Sequence, residues 1–221
     1  MLITTNDTSR HPVDGHLVAL TGQRTFGTEF KYRKGRKVFG DGQPAEYVYQ
    51  IISGAVRTNK LLADGRRQVN SFHLPGDMFG FENGAIHRFS AEALVETLAW
   101  KMTRSGLLDA MASQKGSTTK LLSLITQSLQ HAENHMLLLG RKTAIEKVAA
   151  FLLEMDDRQD HPNVMILPMS RRDIADYVGL SLETVSRAFS ALRDERLLRF
   201  VETKQRQLVI LNRLGLAQHD S

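Results

Sequence analysis

SRRDIADYVGLSLETVSRAFSAL, residues 170–192, reads as two short helices joined by a glycine turn. Ser170 N-caps the first, and Asp173 three positions on completes an S-x-x-D form of the capping box. Ile174 and Val178 supply a buried stripe, Ala175 is small where two helices pass closely, and Gly179 takes the positive φ of a tight helix exit. Ser181 caps the second helix, with Glu183 in its first turn, where the helix dipole favours a carboxylate. At about 3.6 residues per turn, Glu183, Ser186 and Arg187 share one side of that helix; Val185, Ala188, Phe189 and Leu192 share the other. One face is wet and the other dry. The pattern is that of a helix-turn-helix, whose second helix lies in a DNA major groove. An ordinary αα corner is the bland alternative; turn, caps and polar face together argue against it.

That face has the chemistry of a base reader. A carboxylate accepts from cytosine N4, a guanidinium donates to guanine O6 and N7, and a hydroxyl serves either role. LETVSR, residues 182–187, resembles the E-x-x-S-R reading element of the CRP/FNR transcription factors, in particular the FNR and FixK branches, which carry serine where CRP carries glycine. The resemblance implies TTGAT-like half-sites in an inverted repeat, Glu183 and Arg187 on the G·C pair and Ser186 beside a thymine. Leu182 also faces the bases, offering only apolar contact where CRP has arginine. Ser170, Arg171, Ser181 and Thr184 are expected at phosphates.

Composition narrows the class. The 221 residues carry a net charge of +5; residues 170–213 hold nine Lys/Arg against six Asp/Glu, and residues 143–169 two against five. Basic charge therefore gathers on the candidate DNA-binding unit. No apolar run reaches membrane-spanning length and MLITTNDTSR lacks a signal-peptide plan, so a cytoplasmic protein with no membrane partner is expected. The absence of cysteine excludes cysteine-ligated iron–sulfur clusters, thiolate haem and Cys-containing zinc sites. FNR senses oxygen through a cysteine-bound cluster; the FixK branch, which lacks it, is the better match.

The remaining segments predict an α+β chain in four parts. Residues 1–24 are a polar, aperiodic N-terminal arm. Residues 25–117 carry strand signals, strongest in YVYQIISGAVRTNKLL (residues 47–62), with turns at Gly40-Asp41-Gly42, Asp64-Gly65 and Pro75-Gly76-Asp77, a pattern of sandwich or barrel. IISG and LPGDMFG resemble the double-stranded β-helix (jelly-roll, cNMP-binding-like) domain of the same family. Over residues 118–140 the period becomes helical. Leu122, Ile125, Leu129, Ala132, Met136 and Leu139 recur at 3,4,3,4,3 spacing, a coiled-coil seam, while Leu121, Leu124 and Leu138 form a second stripe for the barrel. A single buried helix is the alternative; the family places its dimer interface here, so a homodimer is expected. Gly140 and Arg141 are expected to end this helix as a hinge. Residues 141–221 are then a winged helix-turn-helix: a helix near 143–155, a strand at 164–167, and a hairpin wing whose tip carries Lys204 and Arg206, placed for phosphates.

Cyclic-nucleotide binders of this family use a glutamate, then an arginine and serine, in a G-E-x…R-S-A stretch. Here residues 76–94 read GDMFGFENGAIHRFSAEAL. Ser90 and Ala91 match, but Phe89 stands where the phosphate arginine belongs, and Arg88, one residue early, faces the other side of a strand. No cyclic nucleotide or other cofactor is expected. His131 and His135, four apart on the long helix, read as polar edge residues rather than a metal clasp, and His73 and His87 carry no ligand pattern. No catalytic motif is recognisable, so the chain is not expected to be an enzyme. The resemblance implies a transcription activator working with RNA polymerase on double-stranded DNA, controlling genes of low-oxygen respiration, nitrogen fixation or denitrification. A cyclic-nucleotide- or small-ligand-responsive regulator, or a repressor, is the open alternative.

Overall fold

The computed structural model describes residues 20–21, 27–141, 143–201 and 206–219; most of the N-terminal arm, and the wing tip with Lys204, lie outside the described residues. Alternating β-branched and aromatic side chains make β3 (Tyr47–Ser53), and the Asp64-Gly65 turn joins β4 (Val56–Leu61) to β5 (Arg67–His73) as an antiparallel hairpin. With β1 (Thr28–Tyr32), β2 (Lys37–Phe39), β6 (Met78–Phe79), β7 (Ser90–Ala93) and β8 (Thr97–Thr103), they form two four-stranded sheets ordered β1-β8-β3-β6 and β2-β7-β4-β5. The chain passes from one sheet to the other at Gly54, whose φ is +89°; a Cβ there would sit 2.4 Å from the Glu96 carbonyl oxygen, so only glycine fits. Phe39, Tyr49, Ile51, Val56, Phe79 and Ala91 fill the space between the sheets. This is the expected jelly-roll.

Six helices accompany it among the described residues: α1 (Arg104–Ser113), α2 (Ser117–Arg141), α3 (Ala144–Arg158), α4 (Arg171–Val178), α5 (Leu182–Asp194) and α6 (Arg213–Gln218). β9 (Met165–Ile166), β10 (Leu198–Phe200) and β11 (Gln207–Ile210) make a small sheet ordered β10-β11-β9, with the wing strands paired as expected. Two details differ from the sequence reading. Gly140 does not stop α2, which runs through Arg141, because buried Leu138 and half-buried Leu139 anchor its last turn. The break falls at Thr143, whose hydroxyl and Glu146 form a complete capping box for α3. In addition, α1 lies inside the span assigned to the jelly-roll.

The long helix divides its faces as its two stripes predict, with one exception. Leu121 and Leu124 pack toward Val48, Met102, Leu107 and Met111. Leu138 enters a core shared by Val69 and Phe72 of the barrel and by Phe151, Tyr177, Val185 and Phe189 of the C-terminal part. One continuous apolar core thus joins the two halves, each fully buried large side chain contributing about 1.5–3 kcal/mol. The other face stays bare: Leu122, Ile125, Leu129 and Met136 are 55–66% exposed, and Ala132 is exposed beside them. Leu139 is the exception. It lies against the Gly179 turn, its Cδ2 3.1 Å from where a Cβ of residue 179 would stand, so it links the long helix to the helix-turn-helix instead of ending the seam.

Candidate nucleic-acid interface

Short-range chemistry builds the two helices that carry the site. The Ser170 hydroxyl accepts from the Asp173 N–H at 3.2 Å, and the Asp173 carboxylate accepts from the Ser170 N–H at 2.9 Å, closing the capping box of α4. Gly179 ends α4 in the left-handed conformation, φ +68°. Ser181 caps α5, accepting from the Thr184 N–H at 3.1 Å. On the dry side of α5, Val185, Ala188, Phe189 and Leu192 are all buried. Leu182, Glu183, Ser186 and Arg187 are all exposed on the other side.

The exposed face is organised before any partner arrives. Arg187 Nη2 donates to Glu183 Oε1 at 2.5 Å, an i,i+4 pair whose side chains are 79% and 72% exposed. The pair holds the two charges side by side at the exposed surface of α5. The Ser186 hydroxyl donates back to the Leu182 carbonyl at 2.8 Å, leaving its lone pairs facing outward.

Of the residues expected at phosphates, Ser181 and Thr184 lie at the exposed N-terminus of α5, their hydroxyls 2.8 Å apart. Ser170 is half-buried, with its hydroxyl engaged by Asp173 on both donor and acceptor sides. Arg171 has a packing role that sequence reasoning missed. Its guanidinium lies 3.3 Å from the Phe189 ring centroid and 5.4 Å from that of Phe200, tying α4 to the recognition helix and the wing. Burial draws its pKa down to about 10, so it remains a cation at neutral pH. Arg172 beside it is exposed.

A second missed feature fixes this unit to the barrel. Arg57 on β4 and Arg67 on β5 both bond the buried Asp173 carboxylate, Arg67 at 2.7 Å, and Arg67 also reaches Asp176 at 2.6 Å. Burial opposes ionisation of Asp173, but the Ser170 hydrogen bonds and the two guanidinium charges outweigh it and hold the carboxyl below the ordinary carboxylate range. Nearby, Arg158 of α3 donates to the Phe72 carbonyl at 2.7 Å and pairs with Asp77. His135, expected at the edge of a seam, is instead buried. Its Nε2 donates to the Tyr177 carbonyl at 2.8 Å and its ring stacks on Tyr177 with centroids 4.0 Å apart. Burial holds it below the usual imidazole pKa, with the bond to the Tyr177 carbonyl opposing that shift.

Between barrel and α2 lies a cleft of about 810 Å³, lined in part by Phe39, His73, Phe79, Arg88, Phe89 and Gln127. Arg88 is 73% exposed along its side chain and paired with Glu82 at 3.2 Å, and Ser90 accepts from the Asp41 N–H at 3.0 Å. His73 stacks on Phe79, and burial lowers its pKa to about 4. Elsewhere Asp156, Asp157 and His161 converge within 4.8 Å, but Arg213 spans the two carboxylates at 3.1 and 2.5 Å and supplies the positive charge there.

A jelly-roll, a long helix with one bare apolar face, and a winged helix-turn-helix whose reading face points outward define a CRP/FNR-type regulator. Comparisons with known proteins agree. Residues 146–219 match the Crp-like helix-turn-helix domain and residues 29–114 the cyclic nucleotide-binding domain. The chain is 42% identical over 179 residues to the nitrogen fixation regulation protein FixK of Rhizobium meliloti, covering 81% of this chain and 80% of that one. It is 39% identical to the transcriptional activatory protein AadR of Rhodopseudomonas palustris, over 76% and 72% of the two chains. The solved structure of FixK2 from Bradyrhizobium japonicum superposes with a TM-score of 0.84 at 52% identity, over 89% of this chain and 98% of that one. The chain belongs to the CRP/FNR family of DNA-binding transcription regulators, which act as dimers. Among its members it is similar to the FixK proteins.

Proposed function

We propose that this protein is a cytoplasmic transcription activator that binds TTGAT-like inverted repeats as a homodimer and, with RNA polymerase, switches on genes of nitrogen fixation or low-oxygen respiration. The observation that carries this reading is the outward Glu183–Ser186–Arg187 face of a helix, N-capped by Ser181, whose opposite face is buried. Two copies joined along Leu122, Ile125, Leu129, Ala132 and Met136 would present two such helices to successive major grooves, about 34–36 Å apart. Glu183 and Arg187 read one G·C pair, Ser186 a neighbouring thymine, and Leu182 makes an apolar contact. Ser181 and Thr184 approach phosphates at the helix start, with Arg172 nearby, while Arg171 holds the recognition helix in place. A gel shift with a TTGAT…ATCAA duplex tests the reading. Tight binding of the palindrome and weak binding of a single half-site are expected; equal binding of both rules out the paired mode. A small-ligand-responsive version of the same regulator is favoured by one observation, the aromatic-lined cleft between barrel and long helix. Native mass spectrometry of the purified dimer tests it through a retained mass. The exposed, carboxylate-paired Arg88 argues against a cyclic phosphate as that ligand.

A further inference from the structure

His135 sits where the long helix meets the helix-turn-helix, and base reading leaves its contacts without a task. Tyr177 is the next-to-last residue of α4. Its carbonyl is therefore among the last four of the helix, which have no N–H partner within it. Two side chains from other elements satisfy it: Nε2 of His135 on α2 donates at 2.8 Å, and Nε2 of Gln68 on β5 at 3.3 Å. The imidazole also lies flat on the Tyr177 ring, with centroids 4.0 Å apart and planes 7° apart. One turn further along α2, Leu139 stands against Gly179, the left-handed residue at which the chain leaves α4 for the recognition helix. His135 and Leu139 are four positions apart and share one face of α2. The long helix thus grips the turn at two points, one a directional bond and the other an apolar contact.

Only the first of these grips responds to protons. The His135 ring is buried, which disfavours its charged form and draws its pKa below the ordinary imidazole value. The bond to the Tyr177 carbonyl opposes that shift. Two further groups act on it: His131 of α2, with ring centroids 6.5 Å apart, disfavours a second cation, and Glu154 of α3 favours one. Glu154 is already engaged by the Tyr177 hydroxyl at 3.0 Å and by Arg158 at 3.2 Å. From β5 come Gln68, Ser71 beside His131, and His73, which burial keeps neutral with a pKa of about 4. A neutral ring fits the closed joint, whereas a ring released to water takes up a proton near its ordinary value, 6.5. The sign follows from linkage: the hold is complete above that value and is lost as pH falls below it toward the lowered pKa of the closed joint.

We infer that His135 is a positioning residue for DNA binding: its bond to the Tyr177 carbonyl fixes each helix-turn-helix to the long helix, sets the separation of the two recognition helices in the dimer, and is loosened by acid. This rests on the paired DNA-binding reading above. One half-site needs a single reading face. A palindrome needs two at once, and the second engagement gains affinity only when both units are held at the spacing of successive grooves. Loosening the joint therefore lowers palindrome affinity and leaves half-site affinity as it was.

The test is an anisotropy titration of the full-length protein on the palindrome and on a duplex with one half-site, from about pH 7.5 to about pH 5.5. The ratio of the two affinities is the quantity compared, since changes in overall charge act on both. His135→Leu fills the space and removes the donor; it is expected to lose roughly tenfold of the palindrome advantage at about pH 7.5, with half-site affinity unchanged. His135→Gln keeps an amide donor at the place of Nε2 and has no titrating group. It is expected to retain the advantage across the range, while the wild type loses roughly tenfold on acidification. A merely structural role would lower the melting temperature and move both affinities together. That result, a His135→Leu protein with its full palindrome advantage, or a His135→Gln protein without one at about pH 7.5 overturns the inference. Parallel pH profiles of wild type and His135→Gln overturn it as well, and decide alone should His135→Leu fail to fold. In each of these cases the wild type still prefers the palindrome and the DNA-binding reading stands. A wild type with no palindrome advantage at any pH overturns both.

Discussion

Replacing Asp173 by asparagine keeps the shape of the residue and removes the charge on which two halves of the molecule converge. The carboxylate accepts from the Ser170 N–H and hydroxyl, at 2.9 and 2.7 Å, and from Arg57 and Arg67. Removing one partner of a buried ion pair costs about 3–5 kcal/mol when the other is left alone. Neither arginine is left alone here, since Arg57 keeps Glu92 at 3.0 Å and Arg67 keeps Asp176 at 2.6 Å. Both Ser170 bonds fall on Oδ2, so an amide oxygen in that place keeps them and the bonds lost are those of the two guanidinium groups to Oδ1. The expected loss is therefore nearer that of one or two charged hydrogen bonds, about 2–3 kcal/mol. Urea unfolding at pH 7 measures it. The pH dependence supplies an independent check. A carboxyl whose folded pKa is depressed stabilises the fold fully above its unfolded value, 3.8, and that stability is lost as pH falls through the folded value. Wild-type stability should therefore fall more steeply than that of Asp173→Asn as pH drops below about 4. With the barrel's hold on α4 loosened, the variant should also discriminate less between operators of correct and altered half-site spacing. A variant within about 0.5 kcal/mol of wild type, the range of an ordinary surface change, with a parallel acid limb would refute the reasoning.

Further outcomes follow from the same geometry. Arg187→Ala is expected to cost about 1–3 kcal/mol per half-site and to relax the preference for guanine, as read by fluorescence anisotropy across the four base pairs at that position. Ile125→Glu with Leu129→Glu puts charge into the bare face of α2; sedimentation should report monomers that retain half-site binding and lose the palindrome advantage. Gly179→Ala forces a Cβ into a left-handed residue 3.1 Å from Leu139, costing about 1–2 kcal/mol in thermal or chemical unfolding.

What the sequence could and could not reveal follows the range of the interactions. The helix-turn-helix was legible to its caps because Ser170, Asp173, Gly179 and Ser181 act within three or four residues of the groups they satisfy. The Asp64-Gly65 hairpin was legible for the same reason. Gly140 misled because a glycine stops a helix only where the chain turns out, and tertiary contacts of Leu138 and Leu139 carry α2 past it. Two helices gave little signal: α1 (RSGLLDAMAS) and α6 (RLGLAQ) each contain a glycine and are short. The interdomain clasp was illegible, since Arg57 and Asp173 are 116 residues apart and the capping box that marks Asp173 says nothing of a distant cation. His135 was misread in the same way, its partner Tyr177 being 42 residues distant.

The claim on which the account stands is that the outward side of α5 reads base sequence. Anisotropy titration at about 150 mM salt, comparing the TTGAT…ATCAA palindrome with a scrambled duplex of equal length and composition, tests it most directly. Specific recognition predicts at least about a thousandfold preference for the palindrome. Equal affinity for the two duplexes would contradict it.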